Sequence, residues 1–178
     1  MTEPHAVVHL SKDGEIAVIT VDNPPVNALS PDVLDGLYDC FEEAIGDTGV
    51  KAIALVCAGR TFIAGADIKT VGKVQPKADF SECQARIEQS SKPVVAAIHG
   101  TALGGGLEVA LTCHYRIAIP SAKLGLPEVA LGLLPGGGGT QRLPRVVGVA
   151  NALDMMISGK HIPAGEALEL GLIDALVD

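Results

Sequence analysis

The sequence predicts an α/β fold, and three observations point to it. Short strands that are apolar on both faces alternate with helical stretches along the chain, the pattern of a largely parallel sheet covered by helices. Hydrophobic residues make up 48% of the chain but aromatics only 3%, so the core has to be built from Val, Ile, Leu and Ala. The recurring strand, turn and helix suggest stacked units, although no repeat is visible residue by residue. At 178 residues the chain is long enough for one domain with a real core.

Val7-Val8-His9 and the run from Glu15 to Val21 read as two strands around a Lys12-Asp13-Gly14 turn. Asn23-Pro24-Pro25 ends the second, because Pro has no N–H to give a ladder. Ser30-Pro31 is a helix start, with Ser as N-cap and Pro in the first turn. Leu34, Leu37, Tyr38, Phe41, Ala44 and Ile45 then recur at helical spacing. Residues 52–57 form a buried strand, followed by a Gly-rich loop over 58–67. Residues 70–80 show no period and read as a loop or lid, and 80–91 as a polar helix. A buried strand over 94–98 is cut off by Gly100. A helix is expected over 105–113, a strand over 115–119 before Pro120, and a loop over 132–140. Helices over 140–147, 149–158 and 164–170 and a terminal strand over 173–177 complete the reading.

Composition excludes several functions. A formal net charge of −8 argues against nucleic acid or an anionic membrane as the main partner. Cys40, Cys57, Cys83 and Cys113 show no CxxC spacing and read as reduced thiols of a cytoplasmic protein. The first residues do not combine basic side chains with an apolar run, so no signal peptide is expected. The apolar stretches are too short and too broken by Gly to span a bilayer. The five histidines include no HExxH or other metal spacing, and no Gly-x-Ser-x-Gly elbow appears.

The most informative stretch is Leu103-Gly104-Gly105-Gly106-Leu107-Glu108. Glycines allow close backbone approach, and a helix opening on them points free N–H groups at whatever lies in front of it. Glu108 sits among Leu107, Val109, Ala110 and Leu111, and Glu128 among Leu126, Pro127, Val129, Ala130 and Leu131. A carboxylate on an apolar element is costly without a partner or a chemical role, and burial raises its pKa toward working pH. Each can be a structural cap or a proton-transfer group. The loop Phe62-Ile63-Ala64-Gly65-Ala66-Asp67 can present a backbone amide, with Asp67 capping the next turn or holding the loop's shape. Lys69, Lys73 and Lys77 are either a solvated face or a positive patch for an anionic group. The run Gly136-Gly137-Gly138-Gly139 is neither a P-loop nor a Rossmann signature, and reads as tight turns and close packing.

At these residues the chain resembles the crotonase (enoyl-CoA hydratase/isomerase) superfamily. The likeness runs from Asn23-Pro24-Pro25-Val26-Asn27-Ala28-Leu29 through the 62–68 loop and Lys92-Pro93-Val94-Val95-Ala96-Ala97-Ile98-His99-Gly100 to the Gly-rich helix start. It continues through Gly125-Leu126-Pro127-Glu128 to Gly139-Thr140-Gln141-Arg142-Leu143, nearly the whole chain. The wording around Cys113-His114-Tyr115-Arg116-Ile117 and Pro144-Arg145-Val146-Val147-Gly148 is most similar to the hydratase half of bifunctional enoyl-CoA hydratase/3-hydroxyacyl-CoA dehydrogenases of fatty-acid β-oxidation.

The resemblance implies a spiral of ββα units, an acyl-CoA thioester substrate, and no cofactor beyond the coenzyme A that belongs to that substrate. It places the oxyanion hole at the backbone N–H groups of Ala66 and Gly105. It makes Glu108 and Glu128 the catalytic pair, Glu108 activating water for C3 and Glu128 protonating C2. Substrate and CoA contacts are implied at Ala64, Gly65, Asp67, Ile68, Gly104, Pro127 and Gly136. Both acids present is the hydratase combination, with a Δ3–Δ2-enoyl-CoA isomerase or a non-catalytic acyl-CoA-binding or partner-binding module as the alternatives. Typical members continue into C-terminal helices that cover the acyl pocket and build a trimer. The chain lacks that segment after Asp178, so it is expected to be a fragment, forming a homo-trimer or joined to a 3-hydroxyacyl-CoA dehydrogenase region.

Overall fold

The computed structural model describes residues 7–67 and 76–178. In chain order these form β1 (Val8–Asp13), β2 (Ile16–Val21), α1 (Pro31–Gly46), β3 (Ala52–Cys57), α2 (Phe80–Glu88), β4 (Val94–Ile98), β5 (Thr101–Leu103) and α3 (Gly105–Ala110). Next come β6 (Tyr115–Ala118), β7 (Lys123–Gly125), a 3-10 turn (Pro127–Leu131), α4 (Gly139–Val147), α5 (Val149–Ser158), β8 (Ile162–Pro163), α6 (Ala164–Glu169) and β9 (Ala175–Leu176). A six-stranded sheet has the order β1-β2-β3-β4-β6-β9, antiparallel between β1 and β2 and parallel elsewhere. A three-stranded sheet, β5-β7-β8, lies apart from it.

The expected α/β class therefore holds, and the stacked units become visible. Strands β4 and β5 are followed by α3, and β6 and β7 by the 3-10 turn. In each unit the first strand joins the large sheet and the second the small one. Strands β5 and β7 run parallel with Leu103 opposite Gly125, so α3 and the 3-10 turn emerge from them side by side. Glu108 and Glu128 sit just beyond those two strand ends, in the first turn of α3 and of the 3-10 turn. The topology thus brings together two acids twenty residues apart.

Helix α1 starts as expected: Ser30 Oγ accepts from Val33 N–H and Pro31 occupies the first turn. Its buried face, Val33, Leu37, Phe41 and Ala44, packs in one core cluster with Ala17, Ile19, Val21, Ile53 and Leu55 of the sheet. Strand burial departs from expectation. One face of β2 and β3, with Ala17, Ile19, Val21, Ile53 and Leu55, is buried, whereas the other, including Val18, Ala54 and Val56, is only half-buried. The helices close one side more completely than the other.

Other differences are local. β1 extends to Asp13, so the turn falls on Gly14, whose φ of +59° suits glycine. The helix expected over 105–113 ends at Ala110, and the one over 80–91 at Glu88. Strands β5, β7 and β8 and the 3-10 turn were not expected, because two to five residues are too short to show a period. The loop or lid read over 70–80 falls outside the described residues at 70–75, and Pro76 to Asp79 carry no helix or strand. No helix of the described residues is long and apolar enough to cross a membrane.

Asn27 fixes the route into the site loop. It is buried at a φ of +52°, which Asn tolerates better than most residues. Its Nδ2 donates to the Ala58 and Thr61 carbonyls, both at 2.9 Å, and its Oδ1 accepts from Asn23 N–H at 2.8 Å. Asn27→Ala strands all three partners and is expected to destabilise the fold by about 3 kcal/mol. Urea unfolding checks this, and a loss below about 1 kcal/mol contradicts it.

Candidate active site

A cavity of about 530 Å³ opens where the 62–67 loop, α3, the 3-10 turn and the glycine run before α4 meet. Of the residues implicated from the sequence, Ala64, Gly65, Ala66, Gly104, Gly105, Glu108, Pro127, Glu128 and Gly136 all line it. Asp67 does not: it is half-buried beside the cavity, with its backbone N–H given to Leu29 O at 3.1 Å. Ile68 lies outside the described residues, as do Lys69 and Lys73. Lys77 is exposed and pairs with Asp39.

Two backbone N–H groups face the cavity for different reasons. Leu29 and Ala66 form a parallel bridge in which Leu29 N–H donates to Gly65 O at 2.9 Å and Asp67 N–H to Leu29 O. The bridge uses the groups flanking Ala66, so the N–H of Ala66 itself points to the opposite side. Gly105 opens α3, and the first N–H of a helix has no carbonyl behind it. Among the described residues neither N–H has a hydrogen-bond partner. The two turns touch: a Cβ added to Gly105 would lie 3.7 Å from Ala66 N. Gly104 turns the chain into α3 at φ +52° and ψ −126°, and its own N–H is tied to Gly125 O at 2.9 Å. A Cβ there would lie 3.1 Å from Glu128 Oε1, so the turn and the second acid are in contact.

The two acids have different environments. Glu108 is 2% exposed, and its Oε1 accepts from Gly137 N–H and Gly139 N–H, both at 2.8 Å. Oε2 is left for another partner. Burial pushes the Glu108 carboxyl above the usual carboxylate range, while the Gly139 and Gly137 amides and the Arg142 charge pull it back. Glu128 is half-buried, and its Oε2 is out of solvent with no hydrogen-bond partner among the described residues. Burial pushes Glu128 up as well; its own backbone N–H pulls it back and the Glu108 charge adds to the rise. Two raised carboxyls that sense each other can divide into a proton donor and a proton acceptor.

The glycine run, read as tight turns and close packing, also supplies both amides to Glu108. A Cβ on Gly137 would lie 2.5 Å from Glu108 Oε2, and one on Gly139 2.9 Å from Oε1. The signal in the sequence is four consecutive glycines, more than a turn requires. Gln84 is a further site residue that sequence reasoning missed; it is buried on α2, and its Nε2 reaches Gly137 O at 2.7 Å and Glu108 O at 3.3 Å. Phe80, at the start of α2, forms one wall. His99 and His114 are occupied elsewhere, His99 Nε2 beside Gly59 O and His114 Nδ1 accepting from Val94 N–H. The thiols are unpaired, and burial pushes Cys83 and Cys113 each up to about 12 and raises Cys57 further.

Known proteins share this arrangement of elements. The family model described as enoyl-CoA hydratase/isomerase matches residues 11–178. A protein of Bacillus subtilis (strain 168) named "Probable enoyl-CoA hydratase" is 49% identical, covering 93% of this chain and 67% of that protein. The "Peroxisomal fatty acid beta-oxidation multifunctional protein MFP2" of Arabidopsis thaliana is 49% identical over 99% of this chain, which spans only 25% of that longer protein. The crystal structure of enoyl-CoA hydratase from Bacillus anthracis superposes with a TM-score of 0.89 at 36% identity, covering 96% of this chain and 70% of that one.

Proposed function

The chain belongs to the enoyl-CoA hydratase/isomerase family, and from that premise we propose that it adds water reversibly to a 2-enoyl-CoA, giving a 3-hydroxyacyl-CoA in fatty-acid β-oxidation. One observation carries the reading: two backbone N–H groups with no partner among the described residues and two perturbed carboxyls surround a single cavity.

A thioester oxygen held by Ala66 N–H and Gly105 N–H gains negative charge as water attacks C3, and preorganised amides stabilise that charge. Such a donor contributes about 3 kcal/mol to the barrier when it is removed singly. Glu108, anchored through Oε1, keeps Oε2 for the water, orients it and takes one of its protons. Glu128 delivers a proton to C2 from its unpartnered Oε2. The water oxygen and its remaining hydrogen stay on C3 as hydroxyl. Passing the proton gained by Glu108 back to Glu128 restores the starting state. The addition is redox-neutral and the amides polarise the carbonyl, so coenzyme A enters only as part of the substrate. Ala64, Gly65, Gly104, Pro127 and Gly136 bound the space beside these groups.

The reading is tested with a short 2-enoyl-CoA, following loss of its conjugated ultraviolet absorbance and 3-hydroxyacyl-CoA by mass spectrometry. Saturable CoA binding without turnover would favour a binding module instead. The Oε2 of Glu128, without a partner among the described residues, also suits movement of a proton between carbons, which would isomerise a 3-enoyl-CoA without water. Glu108→Gln separates the two: hydration is expected to fall about 10²- to 10³-fold and isomerisation much less. Equal losses in both assays contradict separate roles. The pH profile has a stated sign. Hydration needs Glu108 ionised and Glu128 protonated, so kcat/KM falls toward acid through Glu108 and toward alkali through Glu128. Both limbs lie above the range of an ordinary glutamate.

A further inference from the structure

We propose that Gln84 is a positioning residue: its side-chain amide ties the Gly137 and Glu108 carbonyls together and thereby fixes the amide cradle that orients the Glu108 carboxylate. Its kinetic consequence rests on the hydratase reading above.

Gln84 is 3% exposed, on the face of α2 that also buries Cys83 and Ile87. A primary amide is costly to bury unless its donors are used. Here Nε2 gives to two backbone carbonyls from different elements, Gly137 O at 2.7 Å and Glu108 O at 3.3 Å. Gly137 is the residue whose N–H holds Glu108 Oε1 at 2.8 Å. Residues 136–139 are all glycine, so the segment has no side chain of its own to fix it and a wide choice of backbone conformations. Its shape must come from outside. Helix α2 grips it a second time one turn later: Glu88 forks onto Arg142 at 3.1 and 2.9 Å, and Arg142 Nη1 reaches Gly137 O at 3.2 Å. Gln84 is the grip that touches both the cradle and the acid's own backbone.

Losing it frees the glycine segment and weakens the two amide bonds to Oε1. Those bonds favour the ionised carboxylate, so their weakening moves Glu108 titration to higher pH. The other charges acting on Glu108 are Arg142 of α4, itself paired with Glu88, and Glu128 of the 3-10 turn. Gln84→Met leaves them in place and conserves the side-chain volume.

The experiment compares wild type with Gln84→Met and Gln84→Glu. Glu108 titration is read by NMR on protein labelled with 13C-carboxyl glutamate, and kcat and KM by enoyl-CoA hydration across pH. In Gln84→Met the Glu108 midpoint and the acid limb of kcat/KM are expected to move up together. The value of kcat should fall about tenfold with KM within about twofold, as for a small misplacement of a reacting group. Gln84→Glu, nearly isosteric, keeps one donor while protonated and repels both carbonyls when ionised, so its kcat is expected to fall more steeply as pH rises. Unchanged Glu108 titration in Gln84→Met overturns the proposal, and so does wild-type kcat across pH in Gln84→Glu. Wild type that hydrates no enoyl-CoA would fail the hydratase reading alone, and the NMR titration would still decide the role of Gln84.

Discussion

Glu128→Gln is expected to lower hydration by about 10³-fold or more while making the protein more stable at neutral and alkaline pH. The first effect follows from the proposed proton delivery to C2: an amide keeps the shape of the side chain and cannot give up a proton. The second follows from the burial of Oε2 without a partner among the described residues and from the raised carboxyl. A folded-state pKa above the unfolded value means that ionisation is harder in the fold. The penalty is absent at pH below the unfolded value, about 4.3, and grows as pH rises through the folded one. A glutamine cannot ionise, so variant and wild type should melt together in acid, with the variant ahead at pH 8. Near-native turnover would remove Glu128 from the chemistry. A variant that melts below wild type at pH 8 would contradict the buried, unpartnered charge.

Gly106→Ala is expected to damage fold and activity together. A Cβ at Gly106 would stand 1.9 Å from Ile63 O and 2.7 Å from Ile63 C, both backbone atoms that no rotamer change can move. The 62–67 loop would have to back away from α3 by about 1.5 Å or more to reach ordinary contact distance. Overpacking of this kind costs about 1–3 kcal/mol or more, above the roughly 1 kcal/mol that alanine gains in a helix. The same displacement separates Ala66 N–H on the loop from Gly105 N–H on the helix. A misplacement near 1 Å costs about 10²-fold in rate. The control is Gly165→Ala in α6, where a Cβ meets nothing within 4 Å; it should be neutral or slightly stabilising and leave turnover unchanged. Urea melts and kcat on both variants check the pair. A Gly106→Ala protein with wild-type stability and turnover would show that the two turns are not held at contact distance.

The large sheet is legible in the sequence where strands have five or six residues and helices a full apolar face, as in β2, β3, β4 and α1. The small sheet is not, because Thr101–Leu103 and Lys123–Gly125 each bury a single side chain and are too short to show a period. That sheet is what places Glu108 beside Glu128, so the residues of the site are readable and their meeting is not. Physics alone leaves both acids open between cap and catalyst; the resemblance assigns their roles. The glycines at 137 and 139 stay hidden for a different reason: a backbone amide leaves no mark in the sequence beyond the absence of a side chain. Gln84 is invisible because its partners are carbonyls 24 and 53 residues away.

The most direct measurement is the vibrational spectrum of a 2-enoyl-CoA carrying 13C at the thioester carbonyl, bound to Glu128→Gln so that the substrate persists. In the proposed reaction two hydrogen bonds from Ala66 and Gly105 polarise the carbonyl, so its stretching frequency should fall well below the value in water. A bound thioester whose carbonyl keeps its solution frequency would contradict the account.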